Sequence, residues 1–426
     1  MTEQRIDPDE RQFLTQLFEA AVAAADPRLA LAAHLPKAPK GKTVVIGAGK
    51  GSAQMAAAFE DLWPTPVEGV VVTRYGYAAP CKTIRVMESA HPVPDEAGLA
   101  ASEALFAAVA GLGEDDLVIA LICGGGSALL PAPPEGLTLA DEAALNSALL
   151  SSGAPISVMN AIRKQVSQIK RGRLAAAAYP ARVVSLVVSD VPGDDPAQVA
   201  SGPTVPDQKS RSDALALIGA YEIDLPPAIL AHIKGDTGAA PSPDDAVFAR
   251  NEVHVIASAA KSLEAAATLS QDAGIPAVIL SDAIEGEARE VGKVHAAIAR
   301  EVRSRNRPFT APVLILSGGE TTVTITGKGG KGGRNSEFLL SFAHALNGVT
   351  GVTALAADTD GIDGSEDNAG AFANGQTANR LRMLSMDSTE ILSRHDAWTG
   401  FEALGDLFAP GPTGTNVNDF RAILIR

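Results

Sequence analysis

Residues 317–335 read Ser317-Gly318-Gly319-Glu320-Thr-Thr-Val-Thr-Ile-Thr326-Gly-Lys-Gly-Gly-Lys331-Gly-Gly333-Arg334-Asn335, a set of types suited to a multiply charged anion. All seven residues from Gly327 to Gly333 are glycine or lysine, five of them glycine. Glycines expose backbone N–H groups and permit positive φ. The lysines and Arg334 add cationic charge, and a helix expected over 336–346 would add the positive end of its dipole. A phosphate chain is the anion such a loop fits best. A surface hairpin with solubilising lysines fits the same residues equally well.

Other polar groups stand where apolar runs end. Gly47-Ala48-Gly49-Lys50-Gly51-Ser52 follows the run at 44–46, but Ser52 replaces the third glycine of a dinucleotide fingerprint. The next strand ends in Thr73 and Arg74, not in the acid that holds a ribose hydroxyl. Lys50 opposes the dipole of the helix it begins unless an anion offsets it, or unless water simply solvates it. Gly124-Gly125-Gly126-Ser127 closes the run at 117–122, and open α/β sheets bind ligands at such carboxyl ends. A tight helix-packing turn is the competing reading. Ser127 has no identifiable His/Asp partners, so no hydrolase triad is argued.

Asp190 lies just beyond the run at 183–188, and Asp358, Asp360 and Asp363 form a second acidic tip. A carboxylate at a strand tip can hold Mg2+ or take a proton from a substrate hydroxyl. The second tip has a calcium-loop look, but Ala369 stands where an EF-hand needs its bidentate glutamate, so that reading is rejected. Asp190 and Asp360 are the candidate metal ligands. Residues 159–174 read as one amphipathic helix with Arg163, Lys164, Lys170 and Arg171 on its outer faces, a local positive field or a solvated face. The seven histidines show no metal-ligand spacing, and His91 in its Pro-rich loop carries little weight. Glycine loops, clustered cations and strand-tip carboxylates are together the parts of phosphoryl transfer.

These groups must be held by elements the chain also announces. Short β-branched runs alternate with Ala-rich helical segments, the order of βα units and a mostly parallel sheet. At 426 residues the chain exceeds the roughly 250–300 over which one core keeps growing, so two domains are expected. The polar, Pro/Gly-rich stretch 235–245 divides them into 1–243 and 244–426. The second set of strands includes 252–257, 313–316 and an alternating run to Thr326, with 313–316 and 321–326 expected to pair antiparallel in a mixed sheet. A helix is expected over 8–33. The net charge of −15 argues against nucleic acid and anionic membranes as partners. Two cysteines, a charged N-terminal stretch and no apolar run near ~18 residues point to a cytoplasmic protein.

The chain also resembles glycerate 2-kinases with a leucine-rich C-terminal domain, whose members are often labelled hydroxypyruvate reductases. GAGKGSAQM, HPVPDEAG, CGGGSALLPAP, SDVPGDDPAQVASGPTVPD, SGGETTVTITGKGGKGGRNSEF, DTDGIDGSEDNAG and GPTGTNVND carry the resemblance in one order from about residue 10 to 426. It implies two different α/β domains, a Rossmann-like sheet and a smaller mixed sheet, with the active site in the cleft between them. The implied reaction is ATP + D-glycerate to ADP + 2-phospho-D-glycerate, with Mg2+ as cofactor. The implied partners are these small molecules, with a homo-oligomer left open and neither nucleic acid nor membrane expected.

On this reading Lys50, Asp190 and Arg334 are catalytic. Gly49, Ser52, Gly125, Gly126, Ser127, Arg163, Lys170, Gly318, Gly319, Glu320, Lys331, Gly333 and Asn335 bind substrate or phosphate. Where the family often shows a Lys-Gly-Gly pair, this chain has Lys170-Arg171-Gly172-Arg173. An NAD(P)H-dependent hydroxypyruvate reductase is the alternative, with Arg74 as a partner for a 2′-phosphate. A non-catalytic sensor of a small phosphorylated acid is the third.

Overall fold

The computed structural model describes residues 5–235, 238–325 and 327–426, so Thr326 and part of the 235–245 stretch lie outside it. Two compact units emerge, Pro27–Ile256 and a second made of 1–26 with Ala257–Arg426.

The Pro27–Ile256 unit is built on β1 (Thr43–Ala48), β2 (Val67–Arg74), β3 (Ile84–Ser89), β4 (Leu117–Cys123), β5 (Arg182–Val188) and β6 (Glu252–Ala257). Their order is β3-β2-β1-β4-β5-β6, and the β1–β2, β1–β4, β2–β3 and β4–β5 pairs are parallel. β1 and β4 are buried at every position, as strands covered on both faces must be. The order reverses between β1 and β4, and doubly wound sheets open a ligand crevice at that point. Lys50 and Gly124 follow directly from those two strands.

The other unit holds β7 (Ala277–Ile279), β8 (Gly286–Glu287), β9 (Val313–Ser317), β10 (Thr321–Thr322), β11 (Val352–Asp358), β12 (Gly370–Asn374), β13 (Leu407–Phe408) and β14 (Asp419–Ile425). Its six-stranded sheet runs β13-β12-β11-β14-β9-β7 and is mixed, with β7–β9 parallel and the other pairs antiparallel. Side chains alternate across it with the period of two that strands impose. Val313, Ile315, Ile423 and Ile425 face a core shared with Phe338, Phe342 and Phe401. Leu314, Leu316, Phe420 and Leu424 face Leu14, Leu17 and Phe18 of helix Pro8–Ala24. Burial of each such side chain contributes about 1.5–3 kcal/mol, which ties the N-terminal helix to this sheet.

Four expectations change. The division is not at 243/244: β6, read as the start of the second set, completes the first sheet, and residues 1–26 join the other unit. The helix expected over 8–33 is two, broken before Pro27, whose ring cannot continue a helix. β10 is only Thr321–Thr322 and pairs parallel with β8, because Gly319 at φ +112 swings the chain away from β9. The helix expected over 159–174 is Ile156–Arg163, a short 3-10 turn Lys164–Val166 and Arg173–Ala177. Arg171 and Gly172 are left-handed, at φ 59 and 75, and this turn points Lys164 and Lys170 inward.

Candidate active site

At the carboxyl ends of β1, β4 and β5, three segments interlock. Lys50 N donates to Gly124 O at 2.9 Å, and Thr73 Oγ1 donates to Lys50 O at 3.0 Å. The Lys50 side chain lies over Gly125, where a Cβ would come within 2.9 Å of its Cγ. Asp190 is seated against Gly124, where a Cβ would fall 1.9 Å from Oδ2. Gly49, at φ +136, has no room for a side chain against Cys123 O. Gly126 lets Ala200 approach, and Ser127 Oγ lies 2.7 Å from Ser201 Oγ. One cation, one carboxylate and one hydroxyl therefore share the rim of the switch point. The sheet order brings Lys50, Gly125, Gly126, Ser127 and Asp190 together from distant parts of the chain.

His91 belongs to the same neighbourhood. Burial, with Lys50 and Arg74 as positive neighbours, pushes its pKa down to about 4, so the ring is neutral at physiological pH. Nothing in the Pro-rich loop around His91 announces this, and only the fold brings Lys50 near.

Three other residues expected to bind substrate or phosphate have partners inside the protein. Ser52 is fully buried and its hydroxyl donates to Leu121 O at 3.1 Å, which ties a helix to β4. Lys170 is enclosed, with Nζ on Leu130 O at 2.7 Å and on Glu142 at 3.1 Å. Arg163 is buried too, donating to Asn146 Oδ1 and Asn160 Oδ1, each at 2.7 Å. A buried charge must be paired or hydrogen-bonded: Glu142 pairs Lys170, and two amide oxygens accept from Arg163.

In the other unit, the second cluster forms where β9 and β11 end and β14 begins. Arg334 reaches three carboxylates: Asp419 at 2.7 Å, Asp358 at 2.5 Å and Glu320 at 3.2 Å. Burial alone would make the guanidinium easier to deprotonate, but these neighbours hold it firmly charged. Asp419 is fully enclosed, and burial is outweighed by Arg421 and Arg334, which hold it below the usual carboxylate range. Burial drives Asp358 the other way, well above that range, against the pull of Arg334 and with Asp360 and Asp419 adding to it. Asn335 donates to Asp419 at 2.8 Å, and Arg421, with no exposed surface, donates to Gly318 O at 3.1 Å and to Asp419. Asp419 and Arg421 were not singled out from the sequence, since an alternating apolar strand gives no sign that its polar members are ion-paired.

The start of helix Arg334–Ala345 is already capped. Asp363 accepts from Asn335 N at 2.9 Å, Ser336 N at 2.8 Å and Ser336 Oγ at 2.7 Å. Burial raises this carboxyl to about 6 despite those donors. The anion at that dipole end is thus the protein's own carboxylate, and Gly333 is needed because a Cβ would strike Asp363 at 2.4 Å. Lys331 lies 4.4 Å over the Trp398 ring and 3.4 Å from Glu366. Asp360 accepts from Ile362 N at 2.8 Å, closing its own turn.

Among the described residues, no group of three or more His, Cys, Asp or Glu side chains could hold a metal ion. Mg2+ needs only one or two carboxylates when phosphates and water complete its shell. A single strand-tip carboxylate is chemically suited to a metal whose shell is otherwise phosphate and water. No described helix is long and apolar enough to cross a membrane.

Residues 13–234 match a domain of unknown function, DUF4147, and residues 313–419 match the MOFRL family. An Agrobacterium vitis protein provisionally named a hydroxypyruvate reductase is 52% identical over 98% of this chain and 95% of its own. The Thermotoga maritima D-glycerate 2-kinase is 38% identical over 97% of this chain and 98% of its own. A crystal structure of glycerate kinase from Thermotoga maritima superposes with a TM-score of 0.88 at 36% identity, covering 99% of this chain and 100% of that one. Sequence and fold agree over nearly the whole length, and the chain belongs to the glycerate kinase family that joins a DUF4147 segment to a MOFRL segment.

Proposed function

We propose that the protein transfers the γ-phosphoryl group of MgATP to the C2 hydroxyl of D-glycerate, giving ADP and 2-phospho-D-glycerate, in the cytoplasm. The observation that carries this reading is the 38% identity over 97% of the chain to a D-glycerate 2-kinase. The β1/β4 rim supports it. Asp190 takes the proton of the C2 hydroxyl as its oxygen bonds to phosphorus and the bond to the leaving ADP oxygen breaks. Lys50, at the same rim, offsets the negative charge of glycerate or of the phosphoryl group in flight. Arg334 does the same for phosphate in its own unit, held in a fixed orientation by its carboxylates. Mg2+, arriving with ATP, would supply charge neutralisation of the phosphates, and Asp360 would be the carboxylate offered to it in its own unit.

The reductase names borne by relatives find less support. The turn after β1 lacks the third glycine, and β2 ends in Thr73, whose hydroxyl bonds Lys50 O, and Arg74, stacked 3.8 Å over Tyr77. No acid stands there for the adenosine ribose of a nicotinamide cofactor. The test is direct. Purified protein with MgATP and D-glycerate should release ADP, and enolase should consume the product, since that enzyme acts on the 2-phosphate. Oxidation of NAD(P)H by hydroxypyruvate without any ADP release would replace the kinase with the reductase.

A further inference from the structure

Behind Ser127 runs a buried chain of polar groups whose hydrogens can be assigned from their inventories. Arg163 only donates, so the Asn160 atom that receives its NH1 at 2.7 Å is the carbonyl oxygen. That oxygen also lies 3.2 Å from Ser201 Oγ, which must therefore donate to it. Asn160 Nδ2 is turned to Gln198 O at 3.3 Å, consistent with the same orientation. Ser201 has one hydroxyl hydrogen, and it is committed to Asn160. The 2.7 Å contact with Ser127 is then a bond in which Ser127 donates. Ser201, Asn160 and Arg163 are all buried, so no water competes along the chain.

The backbone around Ser201 is held in an unfavourable conformation to make this contact. Ala200, Ser201 and Gly202 have φ of 52, 61 and 62, and only the last is a glycine. Non-glycine residues in this region cost of order 1–3 kcal/mol each and concentrate at functional sites. Gly126, where a Cβ would lie 2.6 Å from that of Ala200, makes room for the strained turn.

We infer that Ser127 recognises a hydroxyl of the substrate as a hydrogen-bond acceptor, with Arg163, Asn160 and Ser201 as positioning residues that fix its polarity. With its hydrogen given to Ser201, Ser127 offers a ligand only lone pairs. It repels a phosphate or carboxylate oxygen and accepts from an alcohol. On the proposed kinase reading, the C2 hydroxyl gives its proton to Asp190, so the group left for Ser127 is the C3 hydroxyl of D-glycerate. Ser127 is thereby a specificity residue for a 2,3-dihydroxy acid over a 2-hydroxy acid that lacks the second alcohol.

D-lactate, which is glycerate without the C3 hydroxyl, provides the test. Wild-type enzyme and the Ser127→Ala and Ser201→Ala variants are assayed with both acids, with D-lactate read as a competitive inhibitor if it is not turned over. Ser127→Ala should lower kcat/KM for D-glycerate by about ten- to a hundred-fold, as loss of a buried hydrogen bond to a substrate alcohol does. The D-lactate constant and the KM for ATP should stay within about three-fold. Ser201→Ala, which lets Ser127 donate again, should erode the preference in the same direction. Equal losses with both acids, or a raised KM for ATP with the glycerate preference intact, would overturn the assignment. Wild-type protein with no D-glycerate kinase activity at all would instead remove the reading beneath it. Thermal melts of both variants separate these outcomes from misfolding.

Discussion

Arg334 Nε donates to Asp419 Oδ1 at 2.7 Å, joining the first turn of a helix to the first residue of β14 across 85 positions of sequence. The same guanidinium spans Asp358 and Glu320, so its orientation is fixed by three acceptors. Removal would leave Asp419 with Arg421 as its neighbouring cation and Asp358 without the cation it now touches. Breaking a buried pair from one side costs about 3–5 kcal/mol, so Arg334→Ala should lower the urea midpoint clearly as well as the rate. Arg334→Lys keeps the charge but cannot fork across three carboxylates. It should recover part of the stability and little of the kcat. An unchanged urea midpoint in Arg334→Ala would show that the cage adds nothing to folding.

Asp190 sits against Gly124, where any Cβ would fall 1.9 Å from its Oδ2. Asp190→Asn keeps the shape and removes the base. Positioned bases contribute about 100- to 10,000-fold, so kcat should fall within that range while the KM for ATP changes little. Turnover at the wild-type rate would take Asp190 out of the chemistry.

Much of this was legible in the chain because glycine and β-branched residues have local causes. Val44, Val45 and Ile46 followed by Gly47 can hardly be anything but a buried strand and a turn, and the Asp190 tip follows in the same way from 183–188. The rest depended on partners far away. Lys170 looked like a surface cation because nothing near it in sequence announces Glu142, 28 residues earlier, as its mate. Ser52 looked like a phosphate ligand because its acceptor, Leu121 O, belongs to a strand 69 positions on. Asp363 has the sequence setting of an acidic loop, yet it caps a helix that begins 29 residues before it. Polar residues are read correctly from sequence when their partners are local, and misread when tertiary contacts decide who meets whom.

Gly125 and Lys50 should behave as one unit. Gly125 is left-handed at φ +77, and a Cβ there would press on Lys50 Cγ. Gly125→Ala is expected to cost about 1–2 kcal/mol of stability from the backbone alone and to displace the lysine. Lys50→Ala should reduce kcat/KM several-fold to several hundred-fold, as loss of one electrostatic donor does. Because the glycine variant acts through the lysine, the double variant should be little worse than Lys50→Ala by itself. Full additivity in that cycle would mean that Gly125 serves some other contact.

Acid stability offers a last check, at His295. Its ring is almost fully enclosed, Nδ1–H donates to Val291 O at 2.9 Å, and Nε2 at 3.0 Å accepts from the Ser317 hydroxyl. Burial pushes the pKa from 6.5 down to about 4, with Val291 O opposing and Arg421 adding to the effect. Between those two values the unfolded chain binds the proton and the folded one does not. Stability from this residue is therefore complete above about pH 6.5 and is lost as pH falls toward 4, by about 3 kcal/mol in all. Urea unfolding from pH 4.5 to 7.5 should show a flatter profile for His295→Gln than for wild type, with the two curves converging at the acid end. Other groups, His91 among them, contribute slopes common to both proteins, so the difference between the curves isolates His295. Parallel curves across the whole range would mean that the imidazole takes up its proton in the folded state, which its bond from Ser317 does not permit.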